Sequence, residues 1–192
     1  MTAPRFDATE SGLRLLGAAL RANSALRQRS LVPGRITATA FGPVTSEETD
    51  RQGLYLRVVS ITEATVDALG LELSRRAIPN IGEVVRRLIL EKEIAGSASW
   101  DARRRSFRRH HGIDLRKCDA HREVLAATDV RNAIAHGLGR LTARQTASQE
   151  TYKNLARIAV DVVDGRVRLQ RRHISEAVVY CRRFVTDIDA RV

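Results

Sequence analysis

The stretch SEETDRQGLYLRVVSITEATVDALGLELSRR, residues 46–76, decides the fold class. Leu54, Val58 and Ile61, then Val66, Leu69 and Leu73, recur one helical turn apart, the period of an amphipathic α-helix with one buried face. The same period governs the chain on both sides. Towards the N-terminus, Leu13, Leu16 and Leu20 mark a helix that Thr9 caps and that runs to Arg29. Between them, Pro33, Gly34, Gly42 and Pro43 punctuate a short β-prone run, Ile36 to Phe41, so residues 1–50 read as an N-terminal helix and connector appended to the remainder, 51–192.

Further on, Asn80 and Glu83 have the spacing of a capping box ahead of an apolar stripe of Ile81, Val84, Val85, Leu88 and Ile89. A helix starting near Ser99 carries Trp100 and Phe107 on one face and stops before Gly112. A short loop with Ile113 and Leu115 leads to another from Asp119 to His136, closed by Gly137, on which Val124, Ala127, Arg131, Ile134 and Leu138 form the apolar stripe. Val160 and Val162, Asp164-Gly165, then Val167 and Leu169 spell a hairpin near 158–170. Ile174, Val178, Cys181, Val185 and Ile188 write the buried face of a final helix. The expected fold is therefore mainly α: a bundle of about four to five helices with a C-terminal β-hairpin and a last helix.

The composition agrees, with apolar residues at 43% but aromatics at only 4%, so the core is built from Leu, Ile, Val and Ala, which suits helices. A net charge of +11 favours polyanions and makes their binding salt-dependent, although 30 of the 33 basic residues are arginine, a bias that a GC-rich genome also produces. Two cysteines, Cys118 and Cys181, and no legible leader point to a reduced, cytoplasmic setting. The apolar stretch Leu15–Leu20 falls far short of the ~20 residues of a membrane span, and no membrane partner is expected.

The segment DVRNAIAHG, residues 129–137, carries the chemistry. Its Arg131…His136 spacing recurs at Arg105/His110, Arg116/His121 and Arg168/His173, so spacing alone discriminates nothing. Context does. Arg131 lies on an apolar stripe, where an unpaired guanidinium is costly and must meet a carboxylate, a phosphate or a subunit boundary. Asn132 follows it, and His136 sits in the last helical turn, one turn beyond Asn132 on the same face, where the helix dipole favours a cation. A structural Arg with a capping His is the plainer alternative.

Arg131-Asn132-Ala133-Ile134-Ala135-His136 resembles the signature of the HEPN superfamily (higher eukaryote and prokaryote nucleotide-binding domains): Arg, a polar residue, and a His a few positions on. The flanks, HHGIDL at 110–115 and GLGRLT at 137–142, are similar to those of members related to the RiboL-PSP and toxin-like groups. The resemblance covers residues 50–145 and implies a HEPN-like helical bundle acting as a metal-independent endoribonuclease, with no cofactor and no metal site. Arg131 and His136 project ~140° apart around one helix. In the family a homodimer brings two motifs together on a two-fold axis around one RNA linkage. The ribose 2′-OH then attacks, leaving a 2′,3′-cyclic phosphate and a 5′-OH, with His136 as general base or acid, Arg131 stabilising the phosphorane and Asn132 orienting phosphate or imidazole. Glu63 stands where relatives often carry an acidic residue facing the motif and could hold Arg131 in place; a solvated helix charge is the plainer alternative. Such proteins often serve as toxins or effectors in toxin–antitoxin or antiphage systems, which implies a cognate antitoxin, a small protein or a nucleotidyltransferase.

Arg103, Arg104, Arg105, Arg108 and Arg109, upstream of the motif, form the densest basic cluster and a candidate RNA-binding face; a solvated arginine face is the rival account. Cys118 and His121 have a ligand-like spacing but no second pair to complete a zinc site. Other readings of the chain are a non-catalytic HEPN module that binds nucleotide or RNA or docks a partner, and a DNA-binding regulator supported by charge alone.

Overall fold

The computed structural model describes residues 5–29, 36–38, 43–77 and 82–192, the side chains of 27–29 and 93 excepted. Among them are eight α-helices: α1 (Asp7–Arg29), α2 (Ser46–Ala77), α3 (Glu83–Gly96), α4 (Trp100–His111), α5 (His121–Gly137), α6 (Ala143–Thr146), α7 (Gln149–Arg157) and α8 (Arg171–Ala190). Two small antiparallel pairs accompany them, β1 (Ile36–Thr37) with β2 (Val44–Thr45) and β3 (Asp161–Val163) with β4 (Arg166–Arg168). The mainly helical fold and the C-terminal hairpin are thus as the periodicity predicts, with Asp164 and Gly165 both at positive φ in the turn. Residues 39–41 of the expected β-prone run lie outside the described residues.

Helix α2 is the central post. Its buried face runs from Tyr55 through Val58, Val59, Val66 and Leu69 to Leu73, and α1, α5 and α8 pack on it. Ile174, Val178, Cys181, Val185 and Ile188 of α8 are all buried, and the Tyr55 and Tyr180 hydroxyls hydrogen-bond each other at 2.9 Å inside the core. Burial pushes both phenols well above their ordinary pKa, so they stay neutral.

Helix α1 is not an appendage. Phe6, Leu16 and Ala19 are buried in the same cluster as the residues of α2 and α8, and the boundary expected at residue 50 falls inside α2. Thr9 does not cap α1 either: it lies within the helix, fully buried. Carboxylates from distant helices hold this end instead, Glu72 accepting the first-turn N–H of Ala8 at 3.2 Å and Asp189 the N–H of Arg5, just ahead of the helix, at 2.9 Å. Gly12 is what lets α1 lie against α2, since a Cβ there would come within 2.2 Å of the Thr65 hydroxyl.

Helix α3 departs from expectation in another way. Its apolar stripe is real but not buried: Val84, Val85 and Leu88 are exposed, and only Ile89 is partly covered. Asn80 and Ile81 of the expected capping box lie outside the described residues. Helix α4 begins and ends where the sequence puts it, with the Ser99 hydroxyl accepting from the Ala102 N–H and Gly112 left-handed at φ 71°.

The motif helix, α5, starts two residues later than expected: Ala120 ahead of it is left-handed at φ 58°, and the Asp119 carboxylate is gripped bidentately by Arg183 of α8. It ends in a double reversal in which Leu138, not Gly137, takes the left-handed position at φ 50°, followed by Gly139 at φ 89°. A Cβ on Gly139 would sit 2.7 Å from the Gln52 amide. The hairpin fixes this end, with the Val167 N–H donating to the Gly139 carbonyl, the Leu141 N–H to that of Gly165, and the Arg166 guanidinium to that of Leu138.

Two predictions follow from this packing. Gly12→Ala is expected to lower stability by about 1–3 kcal/mol through overpacking of α1 on α2, read as a lower midpoint in urea. The second concerns His173, whose Nδ1 accepts the Gln170 N–H at 3.0 Å at the start of α8. Burial, reinforced by Arg172, holds its pKa below the ordinary range, and burial with Arg104 does the same for His121. The folded chain therefore binds fewer protons than the unfolded one, and stability present above pH ~6.5 is lost as the pH falls. Thermal melts between pH 7.5 and 5 should show this loss, and His173→Gln, which keeps an acceptor, should make it shallower.

Candidate functional site

Three residues of α5, Asp129, Asn132 and His136, occupy one face at spacings of three and four. Arg131 leaves the helix from a neighbouring face, but its Nη1 donates to Asn132 Oδ1 at 3.0 Å, which draws the guanidinium round towards them. Its Nη2 reaches Glu63 Oε2 of α2 at 3.5 Å. Glu63 is thus the acidic residue beside the motif arginine, and it is largely shielded, with 14% of its side chain exposed.

Glu63 has a second cation. Arg103 Nη1 lies 3.8 Å from its other oxygen, while Arg103 Nε and Nη2 grip Asp67 at 2.7 and 2.8 Å. Burial opposes the charge on Arg103, but the bidentate Asp67 outweighs it and holds the pKa above its ordinary value. Two guanidiniums and two carboxylates therefore tie α2, α4 and α5 together.

This corrects the expected RNA-binding cluster. Arg103 is buried in an internal ion pair, and Arg104 is half-covered and 3.2 Å from Asp101. Arg105, Arg108 and Arg109 remain on the surface, and none of them forms an ion pair among the described residues.

Beside the network opens a polar cleft of about 480 Å³, lined by Glu63, Trp100, Arg103, Asp129, Arg131 and Asn132 among others. Its floor is braced from the following helices. Asn154 of α7 donates to Asp129 Oδ2 at 2.8 Å, and the Gln145 amide to the Asp129 carbonyl at 2.7 Å. Burial raises the Asp129 carboxyl pKa, with the Asn154 bond opposing. His136 stands outside this cleft, exposed, one turn beyond Asn132, and makes no hydrogen bond or ion pair among the described residues. One chain therefore offers a cleft that carries both guanidiniums, Arg103 and Arg131, and carboxylates, Glu63, Asp101 and Asp129, with an imidazole beyond its rim.

Sequence reasoning missed Asp67, Asp129 and Asn154. Asp67 was detectable in principle, four residues after Glu63 and so on the same face of α2. No local pattern announces Asn154, which acts through a tertiary contact. Elsewhere, both cysteines are buried, which pushes the Cys118 thiol up to about 11 and the Cys181 thiol up to about 12. Among the described residues no three His, Cys, Asp or Glu side chains are grouped to hold a metal ion, and no helix is long and apolar enough to cross a membrane.

The division of the arginines predicts opposite mutational outcomes. Arg103→Met should cost about 2 kcal/mol, because it strands Asp67 and leaves Glu63 with one cation, whereas Arg105→Met should be neutral within about 0.5 kcal/mol; urea unfolding distinguishes them. Searches against protein-family models, curated proteins and solved structures found no match to this chain.

Proposed function

We propose that the chain is a HEPN-type, metal-independent endoribonuclease that acts as a homodimer and leaves 2′,3′-cyclic phosphate and 5′-OH ends. The observation that carries this is the state of the motif residues: Arg131 is oriented by Glu63 and Asn132, with 32% of its side chain still open, and His136 is exposed and unpaired among the described residues, on the same face as Asn132. Part of the Arg131 guanidinium thus stays open beside the cleft, and His136 makes no bond to the helix end among the described residues.

In this reading His136 exchanges the protons and Arg131 meets the charge that develops on the phosphorane. Asn132 holds the guanidinium through its Oδ1 and keeps its amide N–H groups for a phosphate oxygen. Because His136 lies outside the cleft that contains Arg131, a second copy across a two-fold axis completes the arrangement around one linkage. A toxin or effector role with a cognate antitoxin, either a small protein or a nucleotidyltransferase, fits such an activity.

The test is cleavage of transfer RNA and of unstructured RNA in EDTA. Wild type is expected to cut and to leave cyclic phosphate ends, while His136→Ala and Arg131→Ala each lose about 10²–10⁴-fold in rate. Cleavage that persists in both variants, or that stops on chelation, would overturn the proposal. Tight RNA binding with no products would instead establish a non-catalytic binding module.

A further inference from the structure

We infer that the groove between α3 and α4 is a phosphate-binding track for single-stranded RNA, separate from the cleft that holds Arg131. It deepens the ribonuclease reading and rests on it for the identity of the polyanion. The groove encloses about 540 Å³ and is walled by Lys92 of α3 and by Arg105, Arg108, Arg109 and His110 of α4. No carboxylate lines it among the described side chains.

Its floor consists of small residues, because the two helices touch there: a Cβ on Gly96 would lie 3.0 Å from Ser106. The groove is open and its walls are cationic, a surface along which a strand of phosphodiesters can lie. Arg105, Arg108 and Arg109 share one helix face across a single turn, ~5.4 Å of rise, close to the separation of successive phosphates on a single strand.

Among the described residues none of Lys92, Arg105, Arg108 and Arg109 forms an ion pair, and their mutual repulsion costs the fold stability. Asp114, whose carboxyl senses Arg108, is already taken bidentately by Arg116. The position also suits a substrate path. The groove ends at Gly96 and Ala102, and the polar cleft begins with Ser97, Ser99 and Trp100, so the two adjoin across the turn that joins α3 to α4. An RNA strand crossing that turn would lie in the groove on one side and at Arg131 on the other.

The experiment measures binding of a fluorescein-labelled single-stranded 12-nucleotide RNA by the full-length His136→Ala protein, by fluorescence anisotropy across a salt series. Adding R105Q/R108Q/R109Q should weaken binding at least tenfold and lower the slope of log Kd against log salt by about two, at ~0.7 per phosphate contact. A control of equal charge loss on exposed arginines elsewhere, R75Q/R122Q/R157Q, should change both much less. Equal effects from the two triple variants, or none from the first, would overturn the groove while leaving the cleavage test untouched. A groove effect in a chain whose wild type cuts no RNA would retain the track and remove the nuclease. Matching thermal melts of the variants exclude unfolding as the cause.

Discussion

A carboxylate held out of water between two guanidiniums is the constraint on which the rest of this structure turns. Glu63 is nearly buried on α2, where Arg131 and Arg103 each approach one of its oxygens, at 3.5 and 3.8 Å. Removing either cation leaves the other to compensate alone, so α4 and α5 are locked to the post by a shared charge rather than by separate contacts. The motif arginine consequently has a defined direction before any ligand arrives. Preorganised donors of this kind stabilise developing charge more effectively than flexible ones, because no reorganisation is needed when the charge appears.

Most of the fold was legible because its elements carry their own signals. Periodicity located α2, α4, α5 and α8, Ser99 and Gly112 bounded α4, and Asp164-Gly165 made the hairpin turn. Where the reading failed, the deciding partner is remote. Helix α1 looked appended because the carboxylates that hold its start, Glu72 on Ala8 and Asp189 on the preceding Arg5, are far along the chain. Arg103 looked like one more arginine in a basic run because Asp67, which removes it from the surface, lies on another helix. At the site, Arg131, Asn132, His136 and Glu63 could be named in advance, but the Asp129–Asn154 brace could not, since neither residue has a local reason to find the other.

The net charge of +11 therefore contains two populations. Arg103 and Arg183 spend their charge on specific carboxylates, Asp67 and Asp119, and organise the fold. Arg105, Arg108 and Arg109 have no such partner among the described residues and shape the field outside it. Composition alone cannot separate the two, and a helical wheel does so only once the burial of Trp100 and Phe107 fixes which side of α4 faces α2. Arg103 falls on that side by its spacing from Phe107, and the other three fall away from it.

The end of α5 shows how fold and site constrain each other. A helix that ended in solvent would fray over its last turn, which is where His136 lies. Here the turn after it is stitched to the hairpin through the carbonyls of Leu138 and Gly139, and Arg166, itself 3.7 Å from Glu48 of α2, ties that end back to the post. The hairpin is thus not a decoration on a helical bundle. It keeps the last turn of α5 ordered while leaving its exposed face uncovered, so that the imidazole stays open to solvent on a rigid support. The same helix sends Arg131 into a cleft that His136 does not line, so the two groups lie on different parts of one chain's surface.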